Sequence, residues 1–272
     1  MCGFLNGLAY AKHKDAQCDE LIEGLLSNDL IRLTTNYEAS ELLPEASLQS
    51  SFDTVWFELR RACNLKCLHC YNSSAPSADN IKDLLSLEQW KNIVQQLKPF
   101  NPKTLIFIGG EPLLFKELNE LIEFSRGVLS KTRLVVYSNL TILNDDNISC
   151  FKECNVKVVT SLYANCAETH DLITQYKDSF DKTVSAVKRL QAADITVKAN
   201  TAIMRQNQHC VRETVEFIKS LTGYKPKTDV VRCVSDDLQD LIPTNAANPQ
   251  LGENSKGQIG TSLLARQNKY II

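Results

Sequence analysis

What this chain lacks narrows its class before any motif is read. No apolar run in its 272 residues approaches the roughly 20 residues needed to cross a bilayer. The start, Met1 to Tyr10, is mildly apolar but has neither a basic opening nor a sustained apolar stretch, so it does not read as a secretory signal. The formal net charge is −2, which leaves no bulk electrostatic reason to bind nucleic acid. A disulfide framework is missing too. The sequence has ten cysteines, but a secreted scaffold held by disulfides is normally shorter and denser in cysteine. Cys2, Cys18, Cys150, Cys154, Cys166, Cys210 and Cys233 are scattered and read as reduced, partly buried thiols of a cytoplasmic protein. Cys150 and Cys154 stand four apart on a short helical pattern and can face each other, but two thiols alone make a weak site.

In place of a framework there is one tight cluster. Cys63-Asn-Leu-Lys-Cys67-Leu-His-Cys70 is a C-x₃-C-x₂-C loop directly after the strand-like Thr54 to Arg60. Three soft thiolates this close can wrap one metal centre. The loop lacks a fourth cysteine, whereas a cuboidal iron–sulfur cluster normally takes one thiolate per iron. Three would leave one iron open, and an open position marks a catalytic centre rather than a structural one. The same cysteines with His69 also spell a structural Cys₃His zinc site, and the loop alone admits both readings.

From residue 54 onward the chain alternates strand and helix. The strand candidates are 54–60, 103–108, 133–138, 156–162, 195–203 and 228–234, short runs rich in Val, Ile, Thr or Phe with polar ends. Several are almost continuously apolar, as in Leu105-Ile-Phe-Ile108, which suits parallel strands covered on both faces. Between them lie helical patterns. Ser86-Leu-Glu-Gln89 is a capping box that leads Trp90, Val94 and Leu97 onto one face. Leu118, Leu121, Ile122 and Ser125 form a second stripe, and 145–154 a short third. Phe180, Val184, Val187 and Leu190 mark another helix. Val211, Val215, Ile218 and Leu221 mark the last, closed by Gly223. The pattern predicts an α/β fold of six strands with interleaved helices, curled into a partial barrel or a doubly wound sheet.

In either architecture functional loops lie beyond the carboxyl ends of the strands. The cysteine loop fits that rule, and so does Gly109-Gly-Glu-Pro112 after the second strand. Two glycines let backbone approach a ligand closely and permit positive φ, while Pro112 biases Glu111 toward an extended conformation. The expectation is a rigid turn that offers open backbone groups and one carboxylate to the charged end of an amino-acid-like ligand.

Together, Cys63 to Cys70 followed by Tyr71 and the Gly109–Pro112 turn resemble the radical S-adenosylmethionine (radical SAM) enzymes over roughly residues 54–234. Ser161-Leu-Tyr163, Glu168-Thr-His-Asp171 and Val197-Lys-Ala-Asn200 resemble the subgroup that modifies ribosomally made peptides and often carries a cysteine-rich C-terminal extension (SPASM or twitch). The resemblance implies a partial (βα)₆ TIM-like barrel. It implies that Cys63, Cys67 and Cys70 ligate a [4Fe–4S] cluster whose unique iron takes the amino and carboxylate groups of S-adenosyl-L-methionine. Reductive cleavage would then give a 5′-deoxyadenosyl radical that abstracts a hydrogen from the substrate, chemistry that belongs to the cofactor while the protein positions it. Gly109, Gly110 and Glu111 would meet the methionine amino group. Ser138, Asn139 and Ser161 would meet the ribose or methionine portion, with Asn200 a further contact. His69 would present its backbone to the adenine. The implied partners are a precursor peptide and an electron donor such as a flavodoxin or ferredoxin.

Simpler readings stand beside these. Taken alone, Ser161 and Asn139 are ordinary strand-end residues, His170 and Asp171 cap a helix, and Trp56 and Trp90 are packing residues. Residues 1–53, with an amphipathic Glu20 to Leu26 and then Leu30 to Leu33, read either as part of a winged-helix element for peptide recognition or as a small extension on the barrel. Residues 235–272 are polar, turn-rich and end on the strand-like Lys269 to Ile272. No cysteine follows Cys233, so the expectation is a chain that stops before an auxiliary-cluster region or works with one cluster. Cofactor or small-molecule biosynthesis within the same family is the second functional reading, and a zinc-stabilised peptide-binding module the third.

Overall fold

The computed structural model describes residues 52–77, 84–231, 240–243 and, as backbone, 269–271, all within the unit Ser50–Ile272. The expectations for residues 1–51, for Cys233 and for most of 235–272 lie outside the described residues. Short strands dominate the centre: β1 (Thr54–Glu58), β2 (Thr104–Ile108), β3 (Arg133–Tyr137), β4 (Lys157–Ser161), β5 (Val197–Ile203) and β6 (Thr228–Val230). They pair in parallel in sequence order, and β7 (Lys269–Ile271) adds to the outer edge of β1, with Thr54 beside Lys269. In-order parallel strands need a crossover at every step, and right-handed crossovers curl such a series one way. The result is a half-barrel, the first of the two architectures that the sequence pattern allows and the partial TIM-like barrel that the resemblance implies.

The helices sit where the sequence marks them, with one addition. Helix α1 (Leu87–Leu97) starts at Ser86, whose hydroxyl accepts from Gln89 N–H while the Gln89 side chain accepts from Ser86 N–H. Its Trp90, Val94 and Leu97 are buried, and Trp90 packs against Phe57 at 4.8 Å between rings. Next come α2 (Leu118–Val128) and α3 (Asp145–Glu153). The addition is α4 (Ala167–Thr174). His170 and Asp171 therefore lie inside a helix, not at its cap. Asp171 does cap the next helix, α5 (Ser179–Ala192): its carboxylate accepts from Asp178 N–H (2.6 Å), Ser179 Oγ (2.8 Å) and Phe180 N–H (2.9 Å). Helix α6 (Val211–Thr222) ends at Gly223 with φ +75°, a left-handed residue as expected of a C-terminal glycine.

Strand alternation splits the sheet into two faces. Val55, Phe57, Leu105, Phe107, Leu134, Val136, Val158 and Val197 face the helices and form one buried core with Leu121, Ile122 and Phe151. Each such large apolar side chain contributes on the order of 1.5–3 kcal/mol when fully buried. The opposite registers of these strands are left to line the concave side, and their carboxyl ends carry the site.

Candidate functional site

The cysteine loop leaves β1 and is fastened at both shoulders. Cys63 N–H donates to Ala75 O (3.1 Å), while Lys66 and Leu68 N–H donate to Thr174 O (3.1 Å) and Ile173 O (3.0 Å). The last carbonyls of α4 have no partner within their own helix, so the loop satisfies the helix end and the helix end holds the loop. Cys63, Cys67 and Cys70 are free thiols that line one cavity with Gly109, Gly110, Tyr137, Ser138, Asn139, Ser161, Tyr163 and His170. Among the described residues no three His, Cys, Asp or Glu side chains converge on a single-ion site.

The glycine turn reaches the cavity through Gly109 and Gly110 and also packs against the cysteine loop. A Cβ on Gly110 would lie 2.3 Å from both Ala62 O and Arg61 O, and one on Gly109 (φ +153°) would lie 2.4 Å from Arg60 O. The glycines thus let the turn press against the backbone that leads into Cys63. Gly110 N–H and Glu111 N–H are taken up there, by Arg60 O (2.7 Å) and Ala62 O (2.9 Å), so they are not open groups. The Glu111 carboxylate is buried at 1% exposure and is not among the groups that line the cavity. It accepts from Ser138 Oγ (2.7 Å), Leu113 N–H (3.0 Å) and Asn139 N–H (2.8 Å). Burial pushes its pKa up to about 7, against the pull of those three bonds. The turn therefore ties the ends of β1, β2 and β3 together.

On the other side, Ser161 reaches the cavity but Asn200 does not line it. Asn200 pairs across from Ser161 in the sheet, and its Oδ1 accepts from Lys227 N–H (3.2 Å). Two residues quoted within the resemblance stretches, but expected to make no cofactor contact, enter the wall: Tyr163 and His170, rings stacked 5.4 Å apart. His170 Nδ1 accepts from Tyr163 N–H (3.2 Å), and burial lowers its pKa to about 4, so it is a neutral ring. The signal was present in Ser161-Leu-Tyr163 and His170, but the contact crosses from strand end to helix.

Three observations test the site for a cluster and a polar cofactor. Burial pushes Cys63 up to about 11 and Cys67 up to about 12, so they act as thiolates only beside a compensating cationic centre, as iron supplies. Backbone N–H groups already point at two sulfurs, Leu65 to Cys63 and Ser74 to Cys70, both at 3.4 Å. His69 Nδ1 and Ser74 Oγ, both in the cavity wall, are buried without a hydrogen-bond partner. Buried polar atoms are normally paired, so both are available to a bound polar ligand. The residues fit the group.

The family model for the radical SAM superfamily matches residues 57–218. The chain belongs to the radical SAM superfamily. It is 32% identical over 173 residues to the Fe-coproporphyrin III synthase of Methanosarcina barkeri (strain Fusaro / DSM 804), covering 62% of this chain and 42% of that protein. It is 29% identical over 168 residues to the antilisterial bacteriocin subtilosin biosynthesis protein AlbA of Bacillus subtilis (strain 168), covering 61% and 36%. Its fold resembles Streptococcus suis SuiB bound to S-adenosylmethionine, with TM-score 0.61 at 16% identity over 87% of this chain and 55% of that one. SuiB has also been solved bound to a precursor peptide, SuiA. The chain spans about two fifths of the length of these two curated relatives. Among the described residues no helix is long and apolar enough to cross a membrane.

Proposed function

We propose that this radical SAM protein holds a [4Fe–4S] cluster on Cys63, Cys67 and Cys70, binds S-adenosylmethionine beside it, and modifies a ribosomally made peptide at an unreactive carbon. The observation that carries the reading is the gathering of three free thiols, Cys63 buried and Cys67 and Cys70 half-buried, on one cavity wall with Gly109, Gly110, Ser138, Asn139 and Ser161. Cluster and cofactor together supply one-electron cleavage of a sulfonium and hydrogen abstraction from substrate. The chain's own part is to hold and screen them. Cys67 and Cys63 are desolvated, the Gly109–Gly110 turn closes the floor against the cysteine loop, and the Tyr163 and His170 rings cover the β4 side. Neutral His170 adds no charge near the thiolates. Electrons come from outside, from a donor of the flavodoxin or ferredoxin kind, and the reduced state of such a centre suits the cytoplasm.

The peptide assignment draws support from likeness to AlbA and to SuiB, whose structures include one with a precursor peptide. A second reading, cofactor biosynthesis, draws support from likeness to the Fe-coproporphyrin III synthase. Anaerobic reconstitution with iron and sulfide, followed by reduction with S-adenosylmethionine present, tests the common core. About four irons per chain and release of 5′-deoxyadenosine are expected. Cys67→Ala should abolish both signals, and full retention of either would remove the ligand assignment. A peptide encoded next to the gene should gain or lose mass in this assay, whereas turnover of an iron tetrapyrrole instead would establish the second reading.

A further inference from the structure

The side-chain amide of Asn139 has two N–H donors and an oxygen with two lone pairs, and all four are engaged. Oδ1 accepts from Thr141 N–H (2.9 Å) and from Thr141 Oγ1 (2.7 Å). Nδ2 donates to Asn64 Oδ1 (2.9 Å) and to the Sγ of Cys63 (3.7 Å). The orientation of an amide has to be inferred from its partners, and here they decide it. Thr141 N–H can only donate, so the oxygen faces it and the nitrogen faces the sulfur. Asn64 closes the ring by donating Nδ2 to Thr141 Oγ1 (2.7 Å). The backbone is clamped on both sides: Asn139 N–H binds the Glu111 carboxylate, and Asn139 O accepts from Thr183 Oγ1 (2.9 Å). A saturated amide has no valence left for a ribose or a carboxylate. What it offers the site is one N–H aimed at a thiolate.

We propose that Asn139 is a positioning residue that sets the redox poise of the bound cluster through Cys63, an inference that rests on the cluster reading above. Reduction adds negative charge that spreads onto the ligand sulfurs. An N–H dipole fixed on one of them stabilises the reduced form more than the oxidised form, and hydrogen bonds to sulfur are among the features that set cluster potentials. Burial strengthens the effect, because little water competes at Cys63, which is 7% exposed. Cys63 receives this side-chain donor in addition to Leu65 N–H, so its sulfur carries two donors.

The test is a reductive titration of the full chain, reconstituted with iron and sulfide, with the reduced cluster followed by electron paramagnetic resonance. Asn139→Asp keeps the oxygen that Thr141 N–H needs and replaces the donor with a second carboxylate oxygen. The expected result is a reduction equilibrium shifted at least tenfold toward the oxidised form, which for one electron is a midpoint about 59 mV lower. Asn139→Ala removes the donor without adding charge and should shift the midpoint in the same direction by less. Thr141→Val opens the ring but leaves Thr141 N–H to orient the amide, and its midpoint should match wild type. An unmoved midpoint in cluster-loaded Asn139→Asp or Asn139→Ala overturns the proposal, and so does an equal shift in Thr141→Val, which would mark general loosening. Loss of the cluster from both Asn139 variants overturns it as well, because a donor that only tunes is dispensable for assembly. A wild-type chain that builds no cluster would instead remove the reading on which this one rests.

Discussion

The two sides of the half-barrel's rim are held by different forces. On the β1–β3 side, hydrogen bonds from a glycine turn, one buried carboxylate and an amide ring join three strand ends and reach a cysteine sulfur. On the β4 side the cavity wall is aromatic: Tyr163 and His170 stack at 5.4 Å, His69 of the cysteine loop meets Tyr163 edge-on at 4.7 Å, and Phe180, outside the wall, backs His170 at 5.7 Å. Hydrogen bonds lose strength quickly with angle and distance, so the first side has one geometry. Ring contacts accept several arrangements, stacked and edge-on among them, so the second side tolerates change. A fixed cofactor suits the first side and a variable substrate the second. Damage to the backbone of the first side, where the glycine turn meets the cysteine loop, should therefore cost the cluster, and equal damage to the second side should not.

Gly110→Ala should give the largest effect. The new methyl would sit 2.3 Å from two carbonyl oxygens of the backbone entering Cys63, and neither is the end of a flexible side chain. Overpacking typically costs about 1–3 kcal/mol, and contact with backbone on two sides places this case at the upper end. The cysteine loop moves with the backbone it clashes with, so iron content after reconstitution should fall in parallel with the denaturation midpoint. A variant that unfolds at the wild-type denaturant concentration and holds a full cluster would break the comparison.

Glu111→Gln sharpens it through pH. Burial raises the Glu111 pKa from an ordinary 4.5 to about 7. A raised folded-state value means a stability contribution fully present below 4.5 and lost as pH rises through about 7. At about 1.4 kcal/mol per unit, the wild-type chain should lose about 3 kcal/mol across that window. Glutamine carries no titrating proton, so its curve lacks the slope. It also turns an N–H₂ toward one of three donors, which leaves a buried group unpaired at a cost of about 1–3 kcal/mol. Unfolding free energies measured at intervals between pH 4.5 and 8 should show wild type ahead of Glu111→Gln by a margin that narrows as pH rises. A constant margin would mean that Glu111 does not titrate there.

The same contrast explains what could be read from the residues alone. The strands were legible because each is a short apolar run, and α1 because Ser86 and Gln89 complete a local box. The cysteine loop was legible because its spacing lies within eight residues. The glycine turn was legible as a place that needs glycine, but not for the right neighbour: the close approach is to Arg60 through Ala62, about fifty residues earlier in the chain. Glu111 read as a ligand-facing carboxylate because Ser138 and Asn139, its partners, lie 27 and 28 residues away and no local pattern links them. Helix α4 has eight residues and too little periodicity to stand out. The wall formed by Tyr163 and His170 depends on how that helix docks.

Asp171→Ala applies the smallest perturbation, on the aromatic side. Burial alone would raise the Asp171 pKa, but the bonds from Phe180 N–H, Ser179 Oγ and Asp178 N–H outweigh it and hold the carboxyl below its ordinary 3.8. Losing a helix-capping side chain costs about 1 kcal/mol, and α5 should become less stable by that amount at neutral pH. Because the folded value is depressed, this contribution is present above 3.8 and fades as pH falls through the lower folded value, so the two unfolding curves should converge in acid. Helix α5 meets the rigid side through Thr183, whose hydroxyl bonds Asn139 O, and through Arg189, which bonds Leu143 O (3.0 Å) and Asp145 (2.6 Å), all beyond the 178–180 segment that Asp171 caps. The cysteine loop rests on α4, which ends before Asp178. Iron content and midpoint potential should therefore stay at wild-type values while thermal stability drops. A shifted potential in Asp171→Ala would show that the rim is one mechanical unit rather than two.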